Sequence, residues 1–208
     1  MPILSITAEK GGKSLPTLMT IVPPDREISF EALQKFAPES KGNGAFLADL
    51  LSAFTAHERC GVLLYNCLFE QTTRDEWADR LDEFGDQTKK HVRICEDLIH
   101  RLGGNPMYVS PWARLTESHA SKSLEVLLMS GSADPYSMEL VHLETLLSAE
   151  LKCHSNWHLL RDIAQRMPDS KEKQALHQAV EKVEPEEDEH VEWARSTWQK
   201  EIFSRSKL

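Results

Sequence analysis

Four tracts of this chain repeat apolar residues in alternating steps of three and four, and few folds accept that pattern four times over. The first reads Leu47, Leu51, Phe54, Glu58, Gly61, Tyr65, Leu68, and the second Trp77, Leu81, Phe84, Thr88, His91, Cys95, Leu98, Leu102. The third reads Leu140, Leu143, Leu147, Glu150, His154, Trp157, Ala164, broken at Arg161; the fourth reads Leu176, Val180, Val183, Glu187, His190, Ala194, Trp198. On an α-helix this spacing gathers side chains into one seam. A helix with one apolar seam must bury it against other elements, so four of them predict an all-α bundle.

The helices are expected over 45–72, 74–102, 135–167 and 171–204. Gly103, Gly104 and Pro106 stop the second, Pro168 stops the third, and Asp169 or Ser170 can cap the fourth. The first and second, like the third and fourth, are joined tightly and should form antiparallel hairpins. The connection 103–134 is long enough to let helices two and three run parallel, and it carries its own short helix from about Leu115 to Ser130. The predicted architecture is therefore a four-helix bundle with a crossover between helices two and three and an extra crossover helix. Pro185 is expected to divide the fourth helix, standing at the first turn of its second segment. Residues 1–44 form an arm packed on the bundle domain of 45–208. In that arm TLMTIV (17–22) reads as a short strand, SFEALQKF (29–36) as helical turns capped by Ser29, and PESKGNG (38–44) as a loop.

Composition narrows the class. With 208 residues, 40% hydrophobic and 27% charged, the chain fits one soluble globular unit with a sizeable core. A formal net charge of −9 argues against binding nucleic acid or an anionic membrane surface. No apolar run approaches the ~20 residues that span a bilayer. The start, MPILSITAEKGGK, has none of the features of a signal peptide. Cys60, Cys67, Cys95 and Cys153 form no CxxC pair and lie in predicted helices, which suits buried free thiols in the cytoplasm.

Each seam is interrupted near its middle by polar residues: Glu58, then Thr88 and His91, then Glu150 and His154, then Glu187 and His190. Counted from the tight turns, these positions agree in height to within one or two helical turns. An unpaired buried carboxylate is costly, so a polar layer of this kind calls for partners or a metal. Glu187 and His190, at i and i+3, share one helix face and can reach one ion. The candidate metal ligands are Glu58, His91, Glu150, Glu187 and His190, with His154 as a further neutral ligand one turn after Glu150. Cys95, Trp157, Trp193 and Trp198 read as packing residues.

Glu on helix one, a His-bearing motif on helix two, Glu on helix three and Glu-x-x-His on helix four resemble the ferritin-like superfamily. Glu58, His91, Glu150 and the run Glu187-Asp188-Glu189-His190 stand at the matching positions, across residues 45–204. The resemblance implies a crossover bundle, a carboxylate-bridged di-iron site, and oxidase, ferroxidase or peroxide-detoxifying chemistry. It also implies a homodimer built on helix faces, to which Phe69, Trp112 and Trp198 can contribute, and room for a small-molecule substrate beside the site. A storage cage fits less well, because the arm and the crossover helix would crowd the shell contacts.

Helix two departs from the family pattern. It reads Thr88-Lys89-Lys90-His91, without the Glu expected three residues before the histidine, and Asp86 points off the seam. Four carboxylates balance two divalent ions, whereas three leave an excess positive charge in a low-dielectric core. A dinuclear iron site, a mononuclear one, and a metal-free bundle with a structural or interaction role all stay open at this point. Manganese and zinc suit the same donors as iron.

Overall fold

The computed structural model describes residues 28–129 and 134–207. Its elements, in order, are α1 (Phe30–Gln34), a 3-10 turn (Pro38–Ser40), α2 (Gly44–Gln71), α3 (Asp75–Arg101), α4 (Pro111–Met129), α5 (Pro135–Arg166) and α6 (Lys171–Ser206). No strand occurs among the described residues. The expected strand at 17–22 lies outside them.

Local chemistry sets the helix ends. The side chain of Asn43 accepts the Phe46 N–H at 3.1 Å and starts α2, while Ser170 accepts from Lys173 at 3.1 Å and starts α6. Asp134 accepts the Tyr136 and Ser137 N–H groups ahead of Pro135 in the first turn of α5. Gly103, at φ +81°, turns the chain out of α3, and the Gly104 N–H closes on the Ile99 carbonyl. The crossover helix α4 begins at Pro111 rather than near Leu115, because the Ser110 hydroxyl caps it by accepting the Ala113 N–H at 3.0 Å.

Pro185 does not divide the fourth helix. α6 runs unbroken from Lys171 to Ser206 with Pro185 inside it. Val180 and Val183 before the proline and Val191 and Ala194 after it are all buried, and their packing outweighs a local cost of ~3 kcal/mol.

The helices pack around two apolar clusters. In one, Leu50, Leu51 and Phe54 of α2 meet Cys95 and Leu98 of α3, Trp157 and Leu160 of α5, and Leu176 to Val183 of α6. In the other, Leu64, Tyr65 and Leu68 meet Leu81 and Phe84, Leu143 and Leu146, and Ala194. Glu58, His91, Glu150, Glu187 and His190 stand between the two clusters in sequence on every helix, all buried. α4 lies along α2, held where Tyr108 donates to Asp49 at 2.7 Å and Ser52 donates to the Tyr108 carbonyl at 2.8 Å. The described part of the arm is tied at Ala37, whose N–H donates to the Leu102 carbonyl, and at Glu39, which accepts the Lys171 N–H.

The seam of α5 keeps Leu143, Glu150, Trp157 and Ala164 of its sequence reading and differs by one residue at the positions between them. The inward positions are Leu143, Leu146, Glu150, Cys153, Trp157, Leu160 and Ala164, all buried. Leu147 and His154, placed on the seam by the sequence, and Arg161, which broke it there, sit one residue along and are only partly buried. Adjacent leucines at 146 and 147 satisfy either phase; the packing of Leu160 in place of Arg161 decides it. The register makes a prediction: Leu160→Ala should cost about 2–5 kcal/mol of unfolding free energy. Leu159→Ala, 44% exposed, should cost little, and urea denaturation of both variants reads the difference.

Candidate metal centre

Glu58 comes to the centre from α2, His91 from α3, Glu150 from α5, and Glu187 and His190 from α6. Trp157 of α5 donates its indole N–H to Glu58 Oε1 at 2.7 Å. The Cys153 thiol, also of α5, lies 2.9 Å from the same oxygen and 3.5 Å from Glu187 Oε1. Glu58 Oε2 accepts no hydrogen bond and faces His91 Nδ1 at 3.8 Å.

The two histidines are held in the same manner. His91 donates from Nε2 to Glu186 at 2.8 Å, which leaves Nδ1 turned inward, 2.9 Å from Glu187 Oε1. His190 donates from Nε2 to the side-chain amide oxygen Oε1 of Gln87 at 2.7 Å, leaving Nδ1 3.3 Å from Glu150 Oε2. The rings lie 5.8 Å apart at 30°. A partner on the outer nitrogen fixes the tautomer and aims the inner lone pair, as it does for metal-ligating imidazoles.

The electrostatics of the metal-free protein are unfavourable for anions. Burial, with the charge of Glu187 beside it, pushes the Glu58 carboxyl up to about 7. Burial and the neighbouring Glu150 push Glu187 up to about 8. The Cys153 thiol and the Tyr65 hydroxyl are raised by burial and by the same carboxylates.

These donors could hold a metal ion. Ligand atoms of Glu58, Cys153 and Glu187 lie within 4.8 Å of one another, as do those of Glu150, Glu187 and His190, and every member is buried. Glu187 belongs to both groups. Glu58 Oε2 and Glu187 Oε2 are buried without a hydrogen-bond partner, and His91 Nδ1 lies 2.9 Å from Glu187 Oε1 but out of hydrogen-bond geometry, which is what a cation-binding donor set looks like when protein groups alone do not satisfy it. The mixture of carboxylate, imidazole and thiol suits a transition metal and not calcium or magnesium.

No family model, curated protein or solved structure matches this chain.

Five of the six predicted residues are thus brought together: Glu58, His91, Glu150, Glu187 and His190. His154 is not. It lies on the outer side of α5, where Nε2 pairs with Asp188 at 2.8 Å and the ring packs on His158 at 3.9 Å. His154, His158 and Asp188 form a separate, more exposed donor group. Thr88 adds no oxygen to the centre, since its hydroxyl donates to the Phe84 carbonyl at 2.8 Å. The sequence reading missed Cys153, Glu186 and Gln87, and took Trp157 for packing alone. Cys153 carried a signal, standing at i+3 from Glu150 on the same face.

The raised carboxyls set the pH response of the metal-free protein. Both groups ionise near 4.5 when unfolded, so their contribution to stability is present below that value and is lost as pH rises through about 7 and about 8. The loss amounts to about 1.4 kcal/mol per pH unit for each proton released. Denaturation midpoints of metal-stripped protein should fall over this window, and Glu187→Gln should flatten the fall.

Proposed function

We propose that this chain is a ferritin-like metal-binding protein whose buried centre takes iron as a pair of ions, with oxidase, ferroxidase or peroxide-detoxifying activity. The observation that carries this reading is the set of buried, unpartnered donor atoms on Glu58, Glu187 and His91 inside a ring of three carboxylates. The bundle reading is supported by the contacts. The start of α2 packs with the end of α5, and the start of α3 with the end of α6, so α3 and α5 run the same way with α4 as the crossover.

Glu187, common to both donor groups, would touch both ions, with Glu58 and His91 on one side and Glu150 and His190 on the other. Ferrous ions bound here supply the electrons for reducing dioxygen or peroxide. The chain's own part is to hold and orient. Trp157 fixes the angle of Glu58, Glu186 and Gln87 aim the imidazoles, and Phe84 and Tyr65 wall the His190 side against water. Beyond Phe84 lies a cavity of about 280 Å³ lined by Trp77, Leu81, His142, Leu146 and Trp193, which suits a small apolar substrate. A cytoplasmic setting belongs to the same reading; no helix among the described residues is long and apolar enough to cross a membrane.

Metal analysis of untagged protein tests the reading. The wild type should retain two ions per chain, and Glu187→Ala and His190→Ala should each lose most of them; a wild type without bound transition metal would favour a structural or interaction role. Anaerobic ferrous loading followed by oxygen should then consume oxygen in the wild type alone. We also propose a homodimer: Phe46 and Trp112 are exposed and packed together at 6.2 Å, where α2 meets α4. Sedimentation should give twice the 23.7 kDa chain mass, and Trp112→Ser should shift it toward the monomer.

A further inference from the structure

We propose that Cys153 is the fourth anionic ligand of the centre, its thiolate standing where the family pattern would have drawn a carboxylate from helix two. The inference rests on the metal-binding reading above and names a donor that the family resemblance does not supply.

Geometry places the sulfur inside the donor set. Glu150-Leu151-Lys152-Cys153 puts the carboxylate and the thiol on one face of α5, one turn apart. The sulfur stands between Glu58 and Glu187, 2.9 Å from one carboxylate and 3.5 Å from the other. A thiol has one proton and can donate to only one of the two carboxyls, so toward the other the sulfur presents a lone pair, the same face that would bind a metal. The second oxygens of those same two carboxylates are buried without partners. Cys153 is the one cysteine in the donor groups found among the described residues; Cys95, also buried, belongs to none of them.

Charge gives the reason. Thr88 spends its hydroxyl on the Phe84 carbonyl and leaves three carboxylates, one negative charge short of two divalent ions. A thiolate at Cys153 restores the balance. When the metal binds, the S–H bond breaks, the proton passes to solvent and the sulfur lone pair forms the metal bond, with no change of oxidation state. A thiolate also narrows the choice of metal, favouring iron, cobalt and zinc over manganese and magnesium.

Anaerobic titration of the metal-free full chain with cobalt(II) separates this proposal from the reading beneath it. Visible ligand-field bands report cobalt in the centre, and a near-ultraviolet sulfur-to-cobalt charge-transfer band reports a thiolate ligand. The wild type and C95S should show both. C153S should keep the ligand-field bands, lose the charge-transfer band and bind cobalt at least about tenfold more weakly. C153A, with circular dichroism to check folding, serves where the serine variant does not fold, and the wild-type spectrum needs no variant. Cobalt bound by the wild type without the charge-transfer band, or a band that survives in C153S, overturns the thiolate while sparing the metal site. An absence of ligand-field bands in the wild type overturns both.

Discussion

Three carboxylates cannot share the interior of a helical bundle as anions unless positive charge joins them. Glu58, Glu150 and Glu187 are each almost fully buried, and no lysine or arginine reaches any of them among the ion pairs of the described residues. The indole of Trp157 and the thiol of Cys153 satisfy one oxygen of Glu58 and leave the other bare. The protein copes without metal by holding protons, which is what the raised Glu58 and Glu187 carboxyls express. Such a layer is expensive to bury, and the fold tolerates it because full apolar clusters close the bundle on both sides of it.

The imidazoles are positioned by an exchange between two helices. α6 supplies Glu186 to the outer nitrogen of His91 on α3, and α3 supplies Gln87 to the outer nitrogen of His190 on α6. Each helix therefore sets the orientation of the other's histidine, and the direction of both inner lone pairs depends on the register between α3 and α6. The acidic run Glu186 to Glu189 divides its work by helix face. Glu187 points into the centre, Glu186 orients His91, Asp188 pairs with His154 on one flank and Glu189 with Arg80 on the other. Four consecutive residues are thus used in several directions, which a sequence alone presents as a single charged patch.

The bundle helices were legible because a three-and-four period sustained for some thirty residues leaves no other secondary structure to fit it. The phase on α5 was less so. Leu146 and Leu147, Cys153 and His154, and Leu160 and Arg161 are adjacent pairs, so a three-and-four spacing fits either member, and the expected seam puts histidine where the core holds sulfur. Arg161 was the sign of the wrong phase, since a charged residue on a buried seam is far less acceptable than a leucine beside it. Glu186 and Gln87 were unreadable for another reason. They stand off the seam, and whether an off-seam side chain reaches across depends on the rotation of one helix about its axis relative to its neighbour. Pro185 misled because its local penalty is set against buried contacts on both sides that only the tertiary structure reveals.

Thr88, where the ferritin-like pattern carries a carboxylate, is part of how α2 and α3 pack. Gly61 of α2 faces Thr88, close enough that a Cβ there would lie 3.2 Å from the threonine methyl, and Gly85 faces Tyr65 with 3.3 Å left for a Cβ. Two glycines one helix apart let α2 and α3 approach closely along the stretch where a helix-two carboxylate would need room to extend. Thr88 fits because its hydroxyl folds back on its own helix and its methyl covers Gly61. The small residues and the threonine therefore form one packing solution along this stretch. Space for a donor is left instead on the α5 side, between Glu58 and Glu187, where the sulfur of Cys153 sits. On the proposed assignment, the close approach of α2 and α3 and the thiol on α5 are two parts of a single rearrangement that moves one negative charge across the bundle without enlarging it.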